Sequence, residues 1–177
     1  MKELKMKKIL AGLIVGLFLG IVGCGYTNIT SSSNSSSAQQ VSLSTNLQYF
    51  FTKAKQNPDQ ELIKVINTSS KTLDVAIYSI TRKDIVGAII SAKQRGVIVR
   101  IITDKECSVN KSQKAQLALL KGANIPIRVN THSGLMHLKL SIEDGQVVTT
   151  GSFNYTAAAL TVNDEVLVII KDSKVAT

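Results

Sequence analysis

The sequence predicts an α/β domain built on a mixed, mostly parallel β-sheet sandwiched between helices. Three observations lead there. Between residues 57 and 129, helical and strand-like periodicities alternate, the pattern of strands linked by covering helices. Within that stretch Val97 to Ile102 has almost no polar interruption, as expected of a strand covered on both faces. After residue 135 the period changes to two, and Asp144-Gly145 signals an antiparallel hairpin. The 177 residues suffice for one such domain, and 44% apolar against 19% charged residues describes a globular chain.

The chain opens with Lys2, Lys5, Lys7 and Lys8, then an apolar run from Ile9 to Val22 interrupted only by glycines. That run is short for a bilayer, which needs about 20 residues, and has the proportions of a secretory signal. It ends in Ile21-Val22-Gly23-Cys24, which resembles the bacterial lipobox, where a small residue precedes a cysteine that receives diacylglycerol. The resemblance implies a signal peptide over residues 1–23 and lipidation at Cys24, with an uncleaved anchor or an ordinary signal peptide as alternatives. From Tyr26 to Ser44 serine and asparagine dominate, too polar to offset the entropy of ordering, so residues 24–44 are expected to be a flexible tether. The order describes an extracytoplasmic, membrane-anchored bacterial lipoprotein whose domain occupies residues 45–177.

Within the domain, Asn57-Pro58-Asp59 reads as a capped helix start, followed by an apolar face of Leu62, Ile63, Val65 and Ile66. Leu73 to Ile80 is rich in β-formers and reads as a strand. Thr81 can cap a second helix, with Ile85, Ala88, Ile89 and Ala92 at helical spacing and Gly96 ending it. After the strand at 97–102, residues 110–121 form a helix stopped at Gly122, and Ile125 to Val129 a short strand. Met136 to Glu143 alternates strictly, with His137, Lys139, Ser141 and Glu143 on one face. Gln146 to Thr150 returns, a short helix passes through Ala157-Ala158-Ala159, and Glu165 to Lys171 is the last strand.

Charge points to a polyanionic partner. The formal net charge is +9, and removal of residues 1–23 takes away four lysines and one glutamate, leaving +6. Such a surface attracts nucleic acid or an anionic membrane, although basic surfaces also serve solubility alone. Two cysteines, Cys24 and Cys107, are too few for a disulfide framework. With only His132 and His137 besides, no cluster has metal-site spacing, so no metal or other cofactor is expected.

The chemistry concentrates near the hairpin. Strand alternation places His137 and Lys139 on one face about 6.6–6.8 Å apart, a span that suits one phosphate. Downstream, Gly151 permits close backbone approach, and Ser152 and Asn154 offer polar donors at the start of a helix, itself an anion site. Singly, His-x-Lys on a strand is usually solvated surface and Gly-Ser-x-Asn usually a loop; together they spell His137-x-Lys139-x4-Asp144-x6-Gly151-Ser152-x-Asn154. This resembles the HKD motif of the phospholipase D superfamily. Leu73–Ile80, the corner Lys93 to Val97 and Asn163-x-Glu165 extend the likeness to the small bacterial Nuc-type endonucleases over residues 48–172.

The resemblance implies roles. His137 is the nucleophile that forms a phosphohistidine, and Lys139, Ser152 and Asn154 hold the phosphate oxygens. Glu165 bonds the far nitrogen of His137 and supports its charge. Asp144 lies in an Asp-Gly turn and reads as structural rather than chemical. His132 has no motif partner and reads as a bystander, Cys107 as an unpaired thiol. One motif copy supplies one essential histidine, so a homodimer sharing its active site is implied. The family usually continues into a C-terminal helix that covers the sheet; residues 171–177 stand where that helix begins, and without it apolar sheet surface would be exposed. Small size and positive charge favour a metal-independent, non-specific endonuclease on DNA or RNA. The tether beside phospholipids favours a phospholipase D. A catalytically silent nucleic-acid-binding lipoprotein requires a broken motif, and this motif is intact.

Overall fold

The computed structural model describes residues 46–177; the signal segment, Cys24 and the tether lie outside the described residues. One seven-stranded sheet organises the domain, in the order β1-β7-β6-β5-β2-β3-β4. Its strands are β1 (Leu47–Phe51), β2 (Thr72–Ile77), β3 (Ile98–Thr103), β4 (Ile127–Val129), β5 (Lys139–Glu143), β6 (Val147–Gly151) and β7 (Val166–Ile170). The α/β class and the mixed sheet are as expected. The balance is not: β2–β3 and β3–β4 are parallel, while the other four neighbouring pairs are antiparallel. Only β5 and β6 are joined by a tight hairpin; β7 returns antiparallel beside β6 after the single helical turn Ala157–Thr161, and β1, from the start of the domain, adds antiparallel to β7. Strand β1 was not anticipated.

Helix α1 (Pro58–Thr68) starts with Pro58 in its first turn and Asp59 and Glu61 near its positive end. Asn57 adopts the left-handed conformation (φ 48°) and makes no side-chain cap, contrary to expectation. Helix α2 (Lys83–Gln94) buries Ile85, Ala88, Ile89 and Ala92 as the spacing required. Thr81 does not cap it; the Thr81 and Arg82 amides both donate to the Tyr155 carbonyl, at 2.9 and 3.0 Å. Helix α3 (Lys105–Ser108), too short for a periodicity, is capped by Asp104, which accepts from the Glu106 and Cys107 amides. Helix α4 (Lys111–Gly122) runs through Gly122, and Asn124 (φ 58°) makes the left-handed exit instead. Helix α5 (Ala157–Thr161) is a single turn capped by Thr156.

The core gathers Leu62 and Ile66 of α1, Ile85 and Ile89 of α2, and Leu117 and Leu120 of α4 against one face of the sheet. That face presents Leu73, Val75 and Ile77 from β2, Val99 and Ile101 from β3, and Leu167 and Ile169 from β7. The opposite face is bare among the described residues: Tyr49 is 51% exposed, Phe51 48% and Ile98 62%. Among the described residues, α1, α2 and α4 thus pack on one face, and β3 alternates exposed and buried rather than being covered on both. The apolar run at 97–102 misled because Ile98 and Ile102 sit on the open side.

Strand β5 carries a second inversion. Its alternation is as predicted, but the polar set Lys139, Ser141 and Glu143 is the buried one, while Leu140 and Ile142 lean to the open face. A buried carboxyl among Ser141, Thr149 and Tyr155 prefers its neutral form. Burial pushes the Glu143 pKa up to about 7, the nearby Asp144 charge adds to this, and the Ser141 hydroxyl pulls the other way. The unfolded chain releases this proton near 4.5 and the folded one only near 7. The contribution of Glu143 to stability is therefore fully present below pH 4.5, declines up to about 7 and levels off above, a loss of about 3 kcal/mol. Glu143→Gln removes the titration, so urea midpoints of wild type and variant should diverge between pH 4.5 and 8. Parallel curves would contradict a neutral buried Glu143.

Candidate active site

Antiparallel pairing of β2 with β5 and of β5 with β6 brings the end of β2, the start of β5, the end of β6 and the start of β7 to one edge of the sheet. Buried Gln113 of α4 braces that edge, accepting from the Ile80 amide and donating to the Thr103 hydroxyl, both at 2.9 Å. The predicted site residues emerge there.

His137 does not lie within the strand; β5 begins at Lys139, and His137 ends the preceding loop with an exposed ring. The Tyr78 amide still donates to the Leu138 carbonyl at 2.8 Å, so the peptide beside His137 stays in register with β2. The loop is anchored at Met136, whose amide donates to Asp104 at 2.9 Å, the same carboxylate that caps α3. Lys139 is 7% exposed. Its Nζ lies 3.0 Å from each ring nitrogen of His137 and donates to the His137 carbonyl at 2.9 Å. Burial lowers the Lys139 pKa, and the charges of Glu165 and Cys107 oppose that shift.

The remaining motif residues divide. Ser152 folds onto β7, its amide donating to the Val166 carbonyl and its Oγ accepting from the Val166 amide, each at 3.1 Å. That leaves its hydroxyl proton for another acceptor. Gly151 (φ 129°) permits the approach predicted for it, but what comes close is the β7 backbone; a Cβ there would overlap the Val166 carbonyl. Asn154 holds its Oδ1 buried and unpaired among the described residues. The helix start expected beside these residues is displaced: α5 begins at Ala157, and the Thr156 hydroxyl takes the Ala159 amide at 3.1 Å. Glu165 is at the same edge and its charge reaches Lys139, yet it accepts from Asn163 at 3.0 Å and makes no hydrogen bond to His137. A cleft of about 310 Å³ opens beside Ser152, Glu165 and Phe51.

Asp144 is placed away from this edge, at the far end of β5. With Gly145 it forms a turn in which both residues have positive φ. Its carboxylate accepts from the Ser70, Lys71 and Thr72 amides and the Ser70 hydroxyl, at 2.7 to 2.9 Å. Burial works against ionisation, but these donors outweigh it and hold the pKa at about 2. The structural reading of Asp144 follows: it clamps the hairpin turn to the α1–β2 loop.

Two neighbours of the site escaped the sequence reading. The Tyr78 ring stands 4.5 Å from the His137 ring, centroid to centroid, and 5.0 Å from Lys139 Nζ. Cys107, in α3, lies beside the Tyr78 hydroxyl and raises its pKa. Tyr78 falls in the family-like stretch Leu73–Ile80, but nothing in the sequence ties it or Cys107 to His137; they converge because β2 and β3 end at the same edge. His132 stays within its own loop, Nδ1 accepting from the Gly134 amide at 3.1 Å. Among the described residues no three His, Cys, Asp or Glu side chains gather as metal ligands do.

Comparison with known proteins agrees with this architecture. The profile of the family described as cardiolipin synthase, PLD-like domain matches residues 62–177. The chain is 32% identical over 109 residues to a mitochondrial cardiolipin hydrolase of Chlamydomonas reinhardtii, covering 62% of this chain and 48% of that protein. It is 34% identical over 116 residues to a phospholipase D of Rickettsia prowazekii, covering 65% of this chain and 55% of the relative. It thus spans about half the length of the curated relatives it matches. The crystal structure of Nuc from Salmonella typhimurium, a phospholipase D family member, superposes with a TM-score of 0.70 at 30% identity, over 73% of this chain and 86% of Nuc.

Proposed function

Because the chain belongs to the phospholipase D-like domain family, we propose that it is a phosphodiesterase that attacks phosphorus with His137 and acts on nucleic acid. The observation that carries this reading is the Lys139 ammonium held 3.0 Å from both nitrogens of the exposed His137 ring, at the edge where Ser152 and Glu165 also end. In the attack a ring nitrogen bonds phosphorus and the bridging oxygen leaves with the electron pair. Lys139, the Ser152 hydroxyl and the Asn154 amide take the non-bridging oxygens. Water then attacks the phosphohistidine and restores the imidazole. Glu165 accepts a hydrogen bond from the ring N–H far from phosphorus, and so supports the charge on the ring, after rotating from Asn163, whose bond to it is the one to be exchanged.

The departing oxygen needs a proton, and each chain contributes one His137. A homodimer that brings two His137 rings to one phosphate supplies base and acid from equivalent residues. His132, engaged by its own loop, is a poor substitute. Nucleic acid is favoured by the +6 charge of residues 24–177 and by the match to Nuc over most of Nuc's length. Phospholipid is the second reading, supported by the relative named phospholipase D and by the lipobox-like Cys24. Supercoiled plasmid and fluorescent phosphatidylcholine, offered side by side in excess EDTA, separate them. Plasmid nicking that survives chelation is expected; release of headgroup without nicking would transfer the assignment to phospholipid.

Lipidation of Cys24 places the domain on the outer side of a membrane, held by two or three acyl chains. Radiolabelled palmitate should enter wild type and not Cys24→Ser, and equal labelling of both would remove the lipoprotein from the proposal.

A further inference from the structure

We propose that Tyr78 is a positioning residue for His137, its ring fixing the plane of the imidazole that meets phosphorus. This rests on the reading of His137 as nucleophile. His137 sits outside the strand on an exposed loop end, so β-sheet geometry does not orient its ring. Tyr78 does so from two sides. Its amide holds the Leu138 carbonyl at 2.8 Å, which pins the peptide next to His137. Its ring meets the imidazole at 4.5 Å with a 59° tilt, in the range of favourable aromatic pairs. The same ring lies 5.0 Å from Lys139 Nζ, within reach of a cation–π contact. One aromatic surface thereby backs both the nucleophile and the cation.

The far end of the ring is also held. The Tyr78 hydroxyl meets Cys107 of α3, and the Asp104 that caps α3 takes the Met136 amide one residue before His137. A phenol is neutral at ordinary pH, so the ring adds no negative charge beside the substrate phosphate, and Cys107, burial, Asp104 and Glu106 only raise its pKa further. Without this backing the imidazole would distribute over several rotamers, of which one aims its nitrogen at phosphorus. Ground-state binding suffers less, because Lys139 keeps its bond to the His137 carbonyl and Ser152 its bonds to Val166.

The test uses the full-length chain in detergent, with bis(p-nitrophenyl) phosphate as the probe diester. The chain has two histidines, so the His132 ring protons serve as an internal NMR control for those of His137. In wild type and in Tyr78→Phe the His137 ring protons should be displaced upfield by the neighbouring ring, and kcat should agree within about twofold. In Tyr78→Leu the displacement should vanish and kcat fall about 10-fold or more, with KM within about twofold. An undisplaced His137 signal in wild type would overturn the proposal even if Tyr78→Leu failed to fold. So would wild-type kcat in Tyr78→Leu, or a kcat loss in Tyr78→Phe equal to that in Tyr78→Leu. The ring-proton shift is read without turnover, so it stands apart from any failure of the His137 assignment.

Discussion

His137→Asn is expected to lower turnover of any phosphodiester by about 10³-fold or more while leaving the fold unchanged. The two halves of that expectation come from different observations. The loss follows because asparagine offers no nitrogen lone pair of comparable nucleophilicity, and the histidine lost from each subunit is both attacker and proton donor in the proposed dimer. The intact fold follows from exposure: the ring projects from a loop end, and its removal opens no cavity. Stability should shift by no more than about 0.5 kcal/mol, as for other surface substitutions. Turnover above a few per cent in a variant with a native melting profile would defeat the assignment of His137. Lys139→Ala makes a useful companion, because it removes the cation but also empties a buried site, so it should lose both activity and stability.

Gly151→Ala is the second large effect, and it acts through the backbone. At φ 129° an L-residue is strained in any surroundings, and the new Cβ would meet the Val166 carbonyl. Strain and overpacking together should cost about 3 kcal/mol or more. The damage should not stay local. The Ser152 amide and hydroxyl both bond Val166, and Val166 follows Glu165, so parting β6 from β7 displaces two site residues together. Urea unfolding and diester turnover should therefore fall in parallel. An unchanged urea midpoint would mean that β6 and β7 can separate at Gly151 without cost.

Much of this was legible beforehand because it depends on local rules. Gly96, with φ 93°, ends its helix as placed, and Ile85, Ala88, Ile89 and Ala92 face the core as their spacing required. The Asp144-Gly145 turn and the structural role of Asp144 were also readable, since an aspartate in such a turn has backbone amides within reach. What failed depended on tertiary placement. Leu47 to Phe51 holds β-forming aromatics, yet it escapes a reading of the sequence because it is short and pairs with β7, more than a hundred positions away. Alternation in β5 gave two faces but not which was inward, and the fold buries the polar one, with Lys139, Ser141 and Glu143. Thr81 failed as a cap because α2 starts one residue later than expected, so that Arg82 stands at the N-cap and makes no side-chain cap bond. At the site the motif residues at the start of β5 and the end of β6 converge by hairpin geometry, whereas Tyr78 arrives from the end of β2 and Cys107 from α3, and nothing in the motif ties either to His137.

The bare side of the sheet has a practical consequence for anyone handling this protein. Tyr49, Phe51 and Ile98 offer adsorption sites that survive in the folded state. Environment-sensitive dyes such as anilinonaphthalene sulfonate should bind them and fluoresce before any heat is applied. A dye-monitored melt would then start bright and show a shallow, misleading transition. Circular dichroism or calorimetry follows its unfolding without that interference.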